Sequence, residues 1–279
     1  MNYRIVVDSC GELTKEMKES GIYETASLEI DVEDHHIVDD ETFDQEKFLK
    51  IVAESSECPK SSCPSPERYM EAYCCDAERV YAVTLSAELS GSYNSAVLGK
   101  NLYHEEHGEK DIYVFNSRSA SVGETLIALK IAECEEQGMS FRETVETVES
   151  YIEGQNTYFV LETLDTLRKN GRLTGIKAVM ATALNIKPVM GATPQGTICQ
   201  LGQARGVKKA LVKMVESVVN DVKDPGEKIL AISHCNCPER AEQVKEMLLE
   251  KIALKDVIIL DTAGISSMYA SDGGVIVVV

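Results

Sequence analysis

Apolar, β-branched runs alternate with amphipathic stretches through the first half of the chain. Ile5-Val6-Val7 ends in Asp8-Ser9, Val80-Tyr81-Ala82-Val83-Thr84 in Leu85-Ser86, and Ile112-Tyr113-Val114-Phe115 in Asn116-Ser117. Short runs with apolar residues at consecutive positions predict strands buried on both faces. A helical pattern follows each one: Glu12 to Ser20, Tyr93 to His107 and Glu124 to Gln137. Strands separated by helices imply βαβ units and a mostly parallel sheet, whose ligands gather at the carboxyl ends of the strands. Those ends carry the serines.

After a helical pattern over Phe141 to Glu153, Gly154-Gln155-Asn156 reads as a boundary. It divides the chain into an α/β domain, residues 1–154, and an α+β domain, residues 155–279. In the second part Thr157 to Val160 predicts a strand, Leu161 to Lys169 a helix and Ile176 to Leu184 another helix. Pro188 to Ala192 and Thr197 to Leu201 predict a hairpin turning at Pro194-Gln195-Gly196. A helix over Gly206 to Val222 follows, then strand Ile229 to Ser233, helix Pro238 to Lys251, and strands Val257 to Leu260 and Gly274 to Val279. The expected fold is α/β: a mostly parallel sheet with flanking helices, joined to an α+β domain with antiparallel pairing.

The charge sharpens this division. The 279 residues carry 28 basic and 46 acidic side chains, a formal charge of −18. Residues 1–154 hold 13 basic and 33 acidic residues; the remainder hold 15 and 13. Between Thr166 and Val215 there is no acid at all, yet nine basic residues occur, among them Arg172, Arg205 and Lys208. Such a stretch is either a solvated face or a docking surface for an acidic partner or a phosphate-bearing ligand. An acidic chain without a nucleic-acid signature excludes nucleic acid as the expected ligand. The longest apolar run, Val275 to Val279, is far shorter than the roughly 20 residues of a membrane helix, so no stable membrane insertion is expected. Nine cysteines, an odd number, and no secretory leader point to free thiols in the cytoplasm. Cys235-Asn236-Cys237 has the wrong spacing for a zinc knuckle, Cys74-Cys75 falls on a predicted helix, and no histidine has an i, i+4 partner. His35-His36 reads as a hairpin tip, and neither a metal nor a cofactor is expected.

Four serine-rich clusters precede helical patterns: Asp8-Ser9-Cys10-Gly11, Ser61-Ser62-Cys63-Pro64-Ser65, Ser90-Gly91-Ser92 and Asn116-Ser117-Arg118-Ser119. Helix capping explains one serine per cluster, and Ser65 before Pro66 fits that role. The surplus hydroxyls and helix N–H groups suit a carboxylate or phosphate. Neither the hydrolase elbow nor a nucleotide-binding glycine loop occurs. A serine nucleophile at Ser9 or Ser90 would need His234 as its base, which leaves a serine-dependent acyl or phosphoryl hydrolase as the enzymatic alternative.

In this order the motifs resemble the DegV family, whose better-understood members are the fatty-acid-binding subunits of bacterial fatty acid kinase. The resemblance rests on Asp8-Ser9, on Lys60-Ser61-Ser62-Cys63-Pro64-Ser65 against K-T-S-Q-P-S, and on Leu89-Ser90-Gly91-Ser92-Tyr93 against L-S-G-T-Y. Asn116-Ser117, Lys169-Asn170-Gly171-Arg172 against K-G-G-R, and Arg205 with Lys208-Lys209 continue it. It implies a non-enzymatic carrier holding one long-chain fatty acid between its domains. The carboxylate would meet Ser61, Ser62, Ser90, Gly91 and Ser92, with Asp8, Ser9, Asn116, Ser117 and Tyr269 in support. A separate kinase subunit would dock on the side of Arg172, Arg205 and Lys208 and phosphorylate that carboxylate. Ser61 stands where the family tends to have threonine, Asn116 where it has aspartate, and Tyr269 where a histidine is usual.

Overall fold

The computed structural model describes residues 2–173 and 185–279. The helix expected at Ile176 to Leu184 lies outside these residues. A first sheet runs, edge to edge, through strands Tyr23–Ala26, Tyr3–Asp8, Arg79–Thr84 and Asp111–Asn116, all parallel. Its strands point apolar side chains both ways, which is why their sequences show no polar alternation. Ile5, Val7, Tyr81, Val83 and Phe115 pack on helices Val122–Glu136 and Phe141–Glu153. Val6, Val80, Ala82 and Val114 face the opposite way, onto helices Pro66–Tyr73 and Ser92–His107. Ser65 caps the first of these, accepting a hydrogen bond from Arg68 N at 3.2 Å.

The second sheet is mixed, in the order Ile198–Arg205, Ile186–Ala192, Thr157–Val160, Val275–Val278, Ile229–His234, Asp256–Asp261. Only its last pair, Ile229–His234 with Asp256–Asp261, is parallel. One face is covered by helices Val207–Asp221 and Pro238–Leu249. The other meets helix Val122–Glu136, whose Val122 and Leu126 reach Ala231 and Val278 while its Ile127 and Ile131 serve the first sheet. A helix packed between two sheets is buried on several sides and loses the one-faced apolar stripe of a surface helix.

A third, three-stranded sheet joins His35–Val38, Glu29–Val32 and Lys60–Ser62. Ser61 and Ser62 lie on an edge strand of it. Two sequence expectations change here: the tip before His35-His36 is Glu33-Asp34, and Cys74-Cys75 lie just past the end of helix Pro66–Tyr73. In the second half, residues 161–164 precede helix Asp165–Lys169 rather than forming its first turn.

Candidate functional site

Strand ends of the first sheet, the edge strand at Ser61, hairpin residues 191–198 and helix Gly264–Ala270 enclose a pocket of about 850 Å³, open mouth included. Leu28, Leu85 and Ile265 form one side; Phe159, Leu161 and Ile198 form another. Ser119, Ser121, Thr157 and Ser266 also line it, but their hydroxyls are spent within the protein. Ser119 and Thr157 bond each other at 2.6 Å, Ser121 donates to Glu12 Oε2 at 2.7 Å and also bonds Ser233 Oγ, and Ser266 donates to Cys10 O at 3.0 Å. Satisfied hydroxyls behave as apolar wall.

The hairpin closes this wall through one contact that requires glycine. Gly196 has φ +90°, a Cβ there would lie 2.8 Å from Arg118 Cα, and its carbonyl accepts from Ser86 Oγ at 2.9 Å. The turn of the second half is thereby docked on a loop of the first.

Ser61, Ser90, Arg172 and Tyr269 form a second, linked group on the lining. Ser61 Oγ lies 3.3 Å from Tyr269 Oη, and the Arg172 guanidinium stands 6.0 Å from the Tyr269 ring centre while its Nε donates to Leu89 O at 3.0 Å. Burial pushes the Tyr269 phenol above its ordinary pKa, so it remains a neutral donor near neutral pH. Ser90 Oγ accepts from Ser92 N at 3.2 Å, and among the described residues its own proton has no acceptor. Helix Ser92–His107 begins at Gly91, which brings no side-chain cap, so Ser90 Oγ takes up the first of its N–H groups from outside the helix. Hydroxyl donors, an open helix start and one guanidinium suit an anionic head group.

The remaining predicted residues shape this group from behind. Asp8 is fully buried and ties together the two ends of the serine loop, accepting on Oδ2 from Leu85 N at 2.9 Å and from Ser92 Oγ at 2.6 Å. Asn116 Oδ1 accepts from Ala87 N at 3.1 Å in the middle of the same loop. Ser9 Oγ accepts from Leu28 N, and Ser117 bonds the backbone of Ser119. Ser62 is exposed, 3.4 Å from Glu29, and does not line the pocket. Arg205 and Lys208 lie at the other end of the hairpin from residues 191–198; at about 3.3 Å per residue Arg205 is roughly 20 Å from Ile198.

What holds Tyr269 in place leaves no signal in the local sequence. Its helix starts on two carboxylates from the first half: Asp39 accepts from Gly264 N at 2.7 Å and Ile265 N at 2.9 Å, and Glu12 from Ala263 N at 3.3 Å. Burial pushes Asp39 up to about 6 and Glu12 up to about 7. His234 is engaged elsewhere: Nδ1 accepts from Cys237 N at 3.3 Å, and no serine hydroxyl bonds it among the described residues. The nucleophile–base pair of the hydrolase alternative is thus not assembled among these residues.

The sequence model of the DegV family, a family of uncharacterised proteins, matches residues 2–279. The chain belongs to the DegV family. A DegV domain-containing protein of Streptococcus pneumoniae is 34% identical over 99% of this chain and 98% of its own length. Among solved structures, a DegV family protein of Ruminococcus gnavus with vaccenic acid is 67% identical, covers 100% of both chains and superposes with a TM-score of 0.98. The Fatty Acid Kinase (Fak) B3 protein of Streptococcus pneumoniae, loaded with linoleic acid, is 33% identical, covering 100% of this chain and 99% of its own, with a TM-score of 0.89. Within the DegV fold, no helix among the described residues is long and apolar enough to cross a membrane.

Proposed function

We propose that this protein binds one long-chain fatty acid between an α/β domain, residues 1–154, and an α+β domain, residues 155–279, and presents its carboxylate to a separate kinase subunit in the cytoplasm. The observation that carries the reading is the division of the pocket lining. Hydroxyls along the wall are consumed internally, whereas Ser90 keeps a proton without an acceptor among the described residues, beside Ser61, Tyr269 and Arg172. A wall whose hydroxyls are already engaged fits an alkyl tail, and the donor group fits a carboxylate. The fatty acids bound by the Ruminococcus and Streptococcus relatives support the same assignment.

The energetics suit a carrier. About 14 buried methylenes at about 0.8 kcal/mol each give roughly 11 kcal/mol gross, so the tail dominates affinity. The head group then needs orientation more than charge pairing. Ser61, Ser90 and Tyr269 are neutral donors, and the Arg172 guanidinium already donates to Leu89 O and Asn170 O, so the carboxylate is held without a full ion pair and keeps its nucleophilicity towards a phosphoryl donor. The kinase step draws its support from the relative named for a fatty acid kinase and from the basic segment carrying Arg172, Arg205 and Lys208. No group of this chain is assigned to catalysis, and no cofactor beyond the bound lipid is invoked.

Calorimetric titration of delipidated protein with oleate tests the binding step. One-to-one saturation is expected, together with weaker binding of methyl oleate, whose ester carries no charge. Absence of saturable binding, or equal affinity for acid and ester, would refute it.

A further inference from the structure

Glu124 lies in the first turn of helix Val122–Glu136, between the two sheets, and is wholly buried. Neither of its carboxyl oxygens accepts a hydrogen bond from the donors satisfied elsewhere in the described residues, and the polar side chains set against it are those of Asp8 and Cys10. A carboxyl oxygen of Glu124, one of Asp8 and the Cys10 Sγ lie within 4.8 Å of one another. The two acids are unequal in their surroundings. Asp8 accepts from Cys10 N at 3.1 Å, Leu85 N at 2.9 Å and Ser92 Oγ at 2.6 Å, and Ser92 is itself bonded to Tyr69 Oη. Glu124 receives none of these donors.

The titratable groups facing the pair are all acids. Cys10 and Glu12 come from the loop after the first strand, Tyr69 from helix Pro66–Tyr73, and Asp39 approaches Asp8 from the third-sheet side. The charges that act most strongly on Glu124 are those of Asp8 and Glu12, both acids. Burial first, and then the Asp8 charge, push its carboxyl well above the usual carboxylate range. A second ionised carboxylate here would be both desolvated and repelled.

We propose that Glu124 is a protonated carboxylic acid sharing its proton with Asp8, so that the pair holds one negative charge, and that this charge fixes loop Leu85–Ser92. Donors on Asp8 keep the charge there, and the Glu124 O–H supplies a further donor to it. Asp8 then grips both ends of the loop that carries Ser90. Glu124 is a positioning residue acting through Asp8; only this last link, from loop to head group, rests on the fatty-acid reading.

Proton linkage gives the test. A carboxyl whose native pKa exceeds its unfolded value binds its proton more tightly when folded, so wild-type stability falls as pH rises above about 4.5. Glu124→Gln keeps the shape and an N–H donor towards Asp8 but cannot ionise. Denaturant unfolding of both proteins from pH 5 to pH 8 should show the folding constant of E124Q rising relative to wild type by up to about tenfold per pH unit. A flat ratio overturns the proposal. So does wild-type protein that loses stability on EDTA treatment, because a bound cation would then occupy the place of the proton. Should E124Q fail to fold, infrared spectra of lipid-free wild-type protein at pH 8 decide: a protonated carboxylic acid band is expected, and its absence refutes the shared proton.

For the link to the site, Asp8→Asn should lose about tenfold in oleate affinity and E124Q less than threefold, and equal losses would overturn the assignment of the charge to Asp8. A protein that binds no oleate in any form refutes the proposed function, while the stability ratio still decides the carboxyl pair.

Discussion

Replacing Ser90 by alanine should weaken fatty-acid binding while leaving the fold intact. The hydroxyl accepts from Ser92 N at 3.2 Å, so its proton is the part available to a ligand. A hydrogen bond to a charged group contributes about 1.5–3 kcal/mol, which converts to a loss of roughly ten- to a hundredfold in affinity. The loop itself has other supports: Asp8 at both ends, Asn116 at Ala87 N, and Arg172 at Leu89 O. Tail burial of roughly 11 kcal/mol gross keeps the weakened complex measurable. Titration with oleate and with methyl oleate separates head from tail, because the S90A loss should shrink on the uncharged ester. Ser62→Ala is the control; its hydroxyl faces Glu29 at the surface, and affinity should change less than twofold. Wild-type affinity in S90A, or an equal loss on acid and ester, would refute the role given to Ser90.

Other consequences concern the frame around the site. Gly196→Ala introduces a side chain at φ +90° and 2.8 Å from Arg118 Cα, which should cost about 1–3 kcal/mol in thermal or denaturant unfolding and loosen fatty-acid retention together with it. Asp39 and Glu12, raised to about 6 and about 7, bind protons more tightly in the native state, so stability should fall as pH climbs from about 4 towards 7, and Asp39→Asn should flatten part of that slope in melting temperature. The double change Arg205→Glu with Lys208→Glu lies far from the pocket. It should leave oleate titration unchanged and reduce phosphorylation of the bound acid by a fatty acid kinase subunit; undiminished phosphorylation would remove the docking role.

The parallel sheet was legible because Ile5-Val6-Val7 and its counterparts are buried on both faces, a pattern few other elements share. Strand Lys60–Ser62 escaped the same reading: it is a polar edge strand, with no apolar alternation to mark it. The serine clusters raised the expectation of an anion site, and Ser61 and Ser90 do line the pocket, but composition could not show that Ser119 and Ser121 are consumed internally. Glu124 was invisible for a related reason. In sequence it opens an ordinary acidic helix, and only the packing of that helix between two sheets buries it against Asp8. Tyr269 was found through resemblance, whereas the clasp of Asp39 and Glu12 on its helix joins residues more than 200 positions apart and left no local pattern.

Native mass spectrometry of the intact protein, purified from a bacterial host, bears on fatty-acid binding without any labelled ligand. A species heavier than the bare chain by the mass of one long-chain fatty acid is expected, lost on organic extraction and restored by incubation with oleate. A bare mass that stays unchanged after oleate is added would contradict fatty-acid binding.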